Sequence, residues 1–312
     1  MRSLLTRRTC KCGEWVRGDL IGEGAFGSVF KAHPVKLVKG FPIIMAVKVA
    51  EVLESEPSKV EALMTEGEIL KQFQDCPFVI KYYGHEMTYN DNKPVCFNLL
   101  LEYAAGGTMR QRIEKASLVE SQVKDFTRSI LKGLHFIHKK GYVHCDIKPD
   151  NILLVPQVTF GSSHSECNFV PKIADFGTTK RACNMYFLHG TPRYCPPETV
   201  LSDIQGKPAD IWALGCIVLE MLTGKLWPSK SGDDLSSWVS NPIIPSHLSE
   251  EAKDFLSKCL DINDSTRFTA ERLLTHSFLS KPSNERVFAS GFRPHMHSDH
   301  RLHLPKHLKC WS

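Results

Sequence analysis

Two adjacent glycines, Gly106 and Gly107, divide the chain into stretches whose apolar residues recur with different periods. Before them the pattern is mostly that of strands, with alternating or β-rich runs around Asp19 to Phe30, Ile43 to Ala50 and Val95 to Tyr103. One helical stretch interrupts these runs. Between Ser58 and Phe73, apolar Val60, Leu63, Met64, Ile69, Leu70 and Phe73 recur at near-helical spacing, with Pro57 at the start. After the glycines the period becomes helical, most clearly over Val119 to His138, Asp210 to Leu222, Ser249 to Cys259 and Ala270 to Leu274. The chain is therefore expected to be α+β, with a small β-rich lobe over 15–103 and a larger helical lobe over 104–280. A basic extension, 1–14, precedes them, and a tail at 281–312, rich in Pro, Ser, His and Arg, reads as disordered.

Composition narrows the function classes. With 42% hydrophobic and 23% charged residues among 312, the chain can bury a full core. A net charge of +5 with acids and bases interspersed does not make a nucleic-acid-binding face, though acidic or phosphate-bearing partners are compatible with it. No apolar run approaches the roughly 20 residues of a membrane span, so no membrane insertion is expected, and the N-terminus does not read as a signal peptide. The 11 cysteines are odd in number and scattered, several in apolar stretches such as those around Cys96, Cys216 and Cys259. That usage predicts reduced thiols in a cytoplasmic or nuclear protein. Cys10 and Cys12 have no second pair at zinc-finger spacing, and the histidines of the tail are irregularly spaced, so neither predicts a metal site. Pro156 to Asn168 reads as a long surface loop.

Residues 21–29 read Ile21, Gly22, Glu23, Gly24, Ala25, Phe26, Gly27, Ser28, Val29, a G-x-G-x-x-G-x-V string in which glycines let backbone amides approach phosphate oxygens. Alone it is equally a glycine-rich hairpin turn. Lys48 follows in Ala46-Val47-Lys48, inside an apolar strand where an unpaired ammonium would be costly. A partner carboxylate is required, and Glu66 and Glu68 on the predicted helix are the candidates. Gly67 between them weakens a helix by about 0.5–1 kcal/mol relative to alanine, suggesting a helix easily displaced. Farther on, residues 144–151 read HCDIKPDN and residues 175–177 read DFG, bringing acids and an amide suited to metal-bound phosphate chemistry.

Together these strings resemble eukaryotic protein kinases, whose serine/threonine branch carries H-R-D-x-K-P-x-N followed by D-F-G. The resemblance covers Trp15 to Leu279, and EWVRG, PADIWALGC and LSEEAKDFLSKCL look most like plant kinases of the MAP kinase kinase kinase type. It implies the two-lobed kinase fold, ATP and Mg2+ as cofactors, and a protein substrate, here a MAP kinase kinase. Lys48 would contact the ATP phosphates while paired to Glu66, the acid that the resemblance selects. Leu101 would guard the rear of the adenine pocket, Glu102 and Ala104 would belong to the connection between lobes, and Val29, Ala46 and Leu153 would pack on the adenine ring. Asp146 would receive the hydroxyl proton, Lys148 contact the transferred phosphate, Thr191 orient Asp146, and Asn151 and Asp175 hold Mg2+. His144, Phe176 and Leu70 would join the lobes. Asp210, Trp212 and Gly215 would anchor the catalytic loop, and Arg267 would pair with Glu198 of GTPRYCPPE, a string that resembles the segment gripping a polypeptide substrate and speaks against a small-molecule phosphotransferase.

The sequence departs from the family at Cys145, where an arginine usually receives an activating phosphate. Lys180 to His189 contains no serine or threonine, so phosphorylation between Asp175 and Glu198 is not expected to be needed for activity. The run from Leu226 to Pro245 is short for the family. The alternative is a pseudokinase scaffold, which typically lacks the lysine, the base or a metal ligand; Lys48, Asp146, Asn151 and Asp175 are all present.

Overall fold

The computed structural model describes residues 7–10, 13–24, 27–37, 42–53, 55, 57–90, 93–116, 118–157, 169–183, 190–225 and 242–280. Ala25 and Phe26, most of the loop before Asn168, residues 184–189, most of the run after Leu226 and the His-rich tail lie outside the described residues.

The N-terminal lobe is one antiparallel sheet and one helix. Its strands are β1 (Arg7–Cys10), β2 (Gly13–Gly24), β3 (Gly27–Pro34), β4 (Met45–Glu51), β5 (Tyr82–Asn90) and β6 (Lys93–Glu102), ordered β1-β2-β3-β4-β6-β5. The strand expected over Asp19 to Phe30 is a hairpin, Gly24 pairing with Gly27 across its tip. The basic extension contributes to the sheet as well, because Arg7 to Cys10 pair with Val16 to Gly13. Strand β5 was not expected, since its YYGHEMTYN sequence mixes polar and aromatic residues without clean alternation.

β4 is buried on both faces. Met45, Val47 and Val49 pack with Trp15, Ala32 and Leu100 on one side, while Ala46 and Ala50 join the main core on the other. That second face meets α1 (Pro57–Gln72), which buries Leu63, Glu66, Gly67, Ile69 and Leu70. Gly67 also has a packing role, since a Cβ there would sit 3.0 Å from Leu99 Cδ1 on β6.

The C-terminal lobe contains α2 (Met109–Lys115), α3 (Glu120–Lys139), α4 (Pro197–Ser202), α5 (Lys207–Thr223), α6 (Glu250–Cys259) and α7 (Ala270–Leu274), with short pairs β7 (Tyr142–Val143) with β10 (Lys180–Arg181) and β8 (Ile152–Pro156) with β9 (Phe169–Ile173). Helix α2 escaped the sequence reading although its start carries a reciprocal cap, Thr108 accepting from the Gln111 amide and Gln111 from the Thr108 amide. Helix α5 is buried continuously from Ala209 to Met221 and forms the centre of the lobe. Gly215 is needed there: a Cβ would come within 2.8 Å of Cys259 Cβ on α6. The two short pairs carry the segments that meet at the cleft between sheet and helices.

Candidate active site

Burying Lys48 on β4 demands compensation, and the fold supplies it twice. Its Nζ lies 2.8 Å from Glu66 Oε2 on α1 and 2.8 Å from Asp175 Oδ1, just beyond β9. Glu68 is exposed, so the choice left open between the two acids falls to Glu66. The other Glu66 oxygen accepts from the Phe176 amide at 3.1 Å, so a single carboxylate joins helix, strand and DFG loop. Burial alone would lower the Lys48 pKa, but Glu66 and Asp175 outweigh it and raise it above the ordinary lysine range. Asp175 goes the other way. Burial works against its charge, yet Lys48 holds it below the usual aspartate range, whereas complete burial pushes Glu66 up. Of the two acids, Asp175 keeps its charge more firmly.

Phe176 is fully buried between Phe73 and His144, with ring centroids 5.4 Å and 4.9 Å away. Leu70 lies in the same cluster, so the three residues expected to join the lobes share one core. His144 is wholly buried, its Nε2 placed 3.0 Å from the Ala174 carbonyl and its Nδ1 accepting from the Asp146 amide at 3.3 Å. In that pattern Nε2 is the donor and Nδ1 the acceptor.

The residues around Asp146 converge. Thr191 Oγ1 donates to Asp146 Oδ1 at 3.0 Å, Lys148 Nζ donates to Oδ2 at 2.7 Å and to Thr191 Oγ1 at 3.0 Å. Asn151 Nδ2 donates to the Asp146 carbonyl at 2.8 Å and to its Oδ2 at 3.0 Å. With both donors of the Asn151 amide turned to Asp146, its oxygen is the atom left for a cation. The cleft thus offers one amide oxygen and the Asp175 carboxylate, a pair suited to a hard divalent ion whose other ligands come from phosphates and water.

Two non-glycine residues here adopt left-handed backbone, Cys145 at φ 70° and Asp175 at φ 61°. Such conformations cost on the order of 1–3 kcal/mol and persist when neighbours over-determine them. For the catalytic loop the neighbour is Asp210 on α5. It accepts from the amides of His144 (2.9 Å) and Cys145 (3.0 Å) and from His138 Nε2 (2.8 Å). Gln205 Nε2 donates to the Cys145 carbonyl at 2.9 Å from the opposite side. Gly190, at φ 116°, lets the next segment lie against this loop, because a Cβ would meet the Cys145 carbonyl at 2.5 Å. Neither His138 nor Gln205 was anticipated, since no local motif marks a side chain whose role is to hold the Asp210 carboxylate or the Cys145 carbonyl.

In the glycine-rich hairpin only one of three glycines is demanded by the fold. Gly27 has φ 136° and a Cβ there would lie 2.2 Å from the Val49 carbonyl. At Gly22 and Gly24 a Cβ would find nothing nearer than 3.9 Å and 4.0 Å. Space left open beside two glycines is what phosphate oxygens approaching backbone amides would need. Ile21 is partly exposed, Glu23 and Ser28 pair across the hairpin, and Val29 stands opposite Lys48. Ala46 pairs with Leu101, and Leu153 bridges to Thr108, so these apolar residues line neighbouring strands at the cleft. Glu102 differs from the others in where its side chain goes: it binds Lys172 Nζ at 2.9 Å and 2.8 Å and accepts from the Lys81 amide, while its own amide donates to the Lys81 carbonyl at 2.8 Å. Ala104 follows in the connection and accepts from the Gly107 amide.

Glu198 and Arg267 form a bidentate pair at 2.6 Å and 3.0 Å, with the guanidinium 5.1 Å from the Trp212 ring centre. The substrate-side segment is thereby tied to α5 and to the turn before α7. A further cluster, not anticipated, joins Arg110 of α2 to Tyr194 and to the buried Glu220 of α5, the latter at 3.0 Å.

Residues 15–279 match the protein kinase domain. The chain belongs to the protein kinase family. It is 40% identical over 285 residues to mitogen-activated protein kinase kinase kinase 20 of Arabidopsis thaliana, covering 86% of this chain and 78% of that protein. Identity is 39% to kinase kinase kinase 17 of the same plant, over 89% of this chain and 73% of the relative, and 36% to kinase kinase kinase 18, over 88% and 79%. The chain is a serine/threonine protein kinase, and as such it uses ATP, a divalent metal and a protein substrate.

Replacing Asp210 tests the loop support. Asp210→Ala leaves three N–H groups without their acceptor and is expected to cost at least about 3 kcal/mol in chemical denaturation. Because the loop backbone carries Asp146, kcat of the folded fraction should fall by roughly 100-fold. Unchanged kcat would mean that the loop holds its shape without α5.

Proposed function

We propose that the enzyme transfers the γ-phosphoryl group of Mg-ATP to a serine or threonine hydroxyl of a MAP kinase kinase. The observation that carries this reading is the joint alignment of two carboxylates. Asp146 is held by Thr191, Lys148 and Asn151, while Asp175 is drawn across the cleft to Lys48.

In this reading the hairpin amides around Gly22 and Gly24 receive the phosphates, and Lys48, kept charged and fixed by Glu66, faces their α and β oxygens. Asn151 and Asp175 would hold Mg2+, which when bound supplies charge neutralisation for the triphosphate. Asp146 orients the acceptor hydroxyl and takes its proton. Lys148 lies 2.7 Å from the same carboxylate and supplies positive charge where the transferred group becomes more negative. The adenine would lie between Val29, Ala46 and Leu153, with Leu101 behind it and the Glu102 to Ala104 backbone at its edge. The MAP kinase kinase substrate rests on the names of the Arabidopsis relatives. Buried free thiols at Cys76, Cys145, Cys195, Cys216 and Cys259 support a reducing compartment, the cytoplasm with access to the nucleus.

Cys145 bears on regulation. Its thiol is buried, with burial pushing its pKa far above the ordinary thiol range, so the position offers no cation to a phosphate. Thr178 and Thr179 instead donate to the His144 carbonyl at 3.1 Å and 3.4 Å, tying the segment after DFG to the catalytic loop with their own hydroxyls. Thr178 and Thr179 are thus tied to the catalytic loop without an added phosphate.

Purified enzyme with Mg-ATP should phosphorylate MAP kinase kinases in preference to a generic protein substrate. Lys48→Met and Asp146→Asn should each lower kcat by at least about 100-fold. Incorporation of label that survives both changes would place the active site elsewhere. Phosphatase treatment of the wild type should leave kcat within about twofold; activity lost with phosphate at Thr178, Thr179 or Tyr186 and regained on its return would refute phosphorylation-independent ordering.

A further inference from the structure

A cavity of about 350 Å³ opens in the C-terminal lobe between the end of α3, the first turn of α5 and the turn into α7. Its size falls within the range of small-molecule sites. None of the residues proposed to hold nucleotide, metal or acceptor hydroxyl lines it. Its charge is lopsided: Lys139, Lys207 and Arg267 face it, with the imidazoles of His135 and His138, against one acid, Glu271. Arg267 is committed to Glu198, and His138 to Asp210. Lys139 and Lys207 are exposed on the rim and form no ion pair with a described residue. Between these cations the wall is apolar, formed by Pro208, Ile211, Phe268 and Ala270. The positive end of the α5 dipole, at Lys207 and Pro208, and the negative end of α3, at His138 and Lys139, both border the cavity, so the lysine side chains set the sign of its rim.

An apolar wall under a cationic rim selects one chemical class. A bare anion would leave the wall uncovered, and a neutral apolar molecule would leave two lysines without a counter-charge. We propose that this cavity is a regulatory site for a small amphipathic anion, an aromatic or compact aliphatic body carrying a carboxylate or phosphate. The body would lie against Phe268, over the buried Ile211 and Ala270, and the anionic head would meet Lys139 and Lys207. The site is regulatory by position. His138, in its wall, donates to the Asp210 carboxylate that holds the His144 and Cys145 amides, so a ligand that shifts this wall shifts the support of the catalytic loop.

The test uses the full-length chain with isoleucine methyl labelling and the cleft filled by a non-hydrolysable ATP analogue with magnesium. Phenyl phosphate, benzoate, inorganic phosphate and phenol are titrated separately while the Ile211 methyl signal, assigned through Ile211→Val, is followed. Phenyl phosphate or benzoate should shift this signal to saturation with Kd on the order of 1 mM or tighter, the stronger of the two telling a phosphorylated ligand from a carboxylic acid. Inorganic phosphate and phenol should each bind roughly tenfold more weakly or worse. Lys139→Glu with Lys207→Glu should weaken the aromatic anions by roughly tenfold or more, whereas the same charge change made by Lys115→Glu with Lys225→Glu should not. In turnover assays at saturating ATP, kcat should change with the same half-saturation as the methyl shift. An Ile211 signal that does not move, phenol or inorganic phosphate binding as well as the aromatic anions, indifference to the rim charges, or turnover constant while Ile211 saturates would each overturn the proposal.

Discussion

Lys48 is one ammonium shared by two carboxylates that come from opposite sides of the cleft. A buried lysine is costly by itself, and removing one member of a buried pair typically costs about 3–5 kcal/mol because the other charge is left unpaired. The fold therefore keeps strand β4, helix α1 and the DFG loop in mutual register wherever it keeps Lys48 buried. Glu66 extends the constraint by accepting the Phe176 amide, so the ring that fills the core between the lobes and the carboxylate that faces the cleft move as one unit. Asp175 can sit at φ 61° because of this anchorage.

A second set of contacts does for Asp146 what the shared lysine does for Asp175. Asp210 is a buried acid whose partners are mostly backbone amides, and its role is to fix the shape of a loop in which Cys145 is strained. Gln205 holds the same peptide from the other side, and Gly190 removes the Cβ that would keep the substrate segment away. In kinases with an arginine at the Cys145 position, a phosphate can help order this neighbourhood. Here hydroxyls of Thr178 and Thr179 occupy the His144 carbonyl directly. The chemistry rests on two rigid frames, one in each lobe, that meet at the metal and phosphate positions.

What could be read from the sequence divides along physical lines. Helices α1 and α3 stood out because each buries residues that recur every three or four positions, and α5 because it is a long apolar run, buried all round. β5 was hidden because its face is only partly buried, and α2 is too short for a period even though its cap is explicit. In the site, the residues meant to touch substrate lie in compact strings and were legible as strings. The choice between Glu66 and Glu68 was not fixed by local pattern; the helix phase relative to β4 decides it. Residues that act by supporting the loop from outside it, His138 through the Asp210 carboxylate and Gln205 through the Cys145 carbonyl, carried no signal. The closeness of Gly67 to Leu99 carried no signal either, because propensity describes an isolated helix. Glu102 sits in the expected place but its side chain serves Lys172, a pairing that only the approach of β9 makes possible.

The claim on which the rest depends is that Lys48 and Glu66 act as a unit in placing phosphate and Asp175. A double-mutant cycle measures this most directly, comparing kcat/KM for ATP in wild type, Lys48→Met, Glu66→Gln and the double variant. If the two residues work through one another, the double variant should lose little beyond the worse single change, leaving a coupling of at least about 2 kcal/mol. Losses that simply multiply would show that Glu66 and Lys48 contribute independently and would contradict the account.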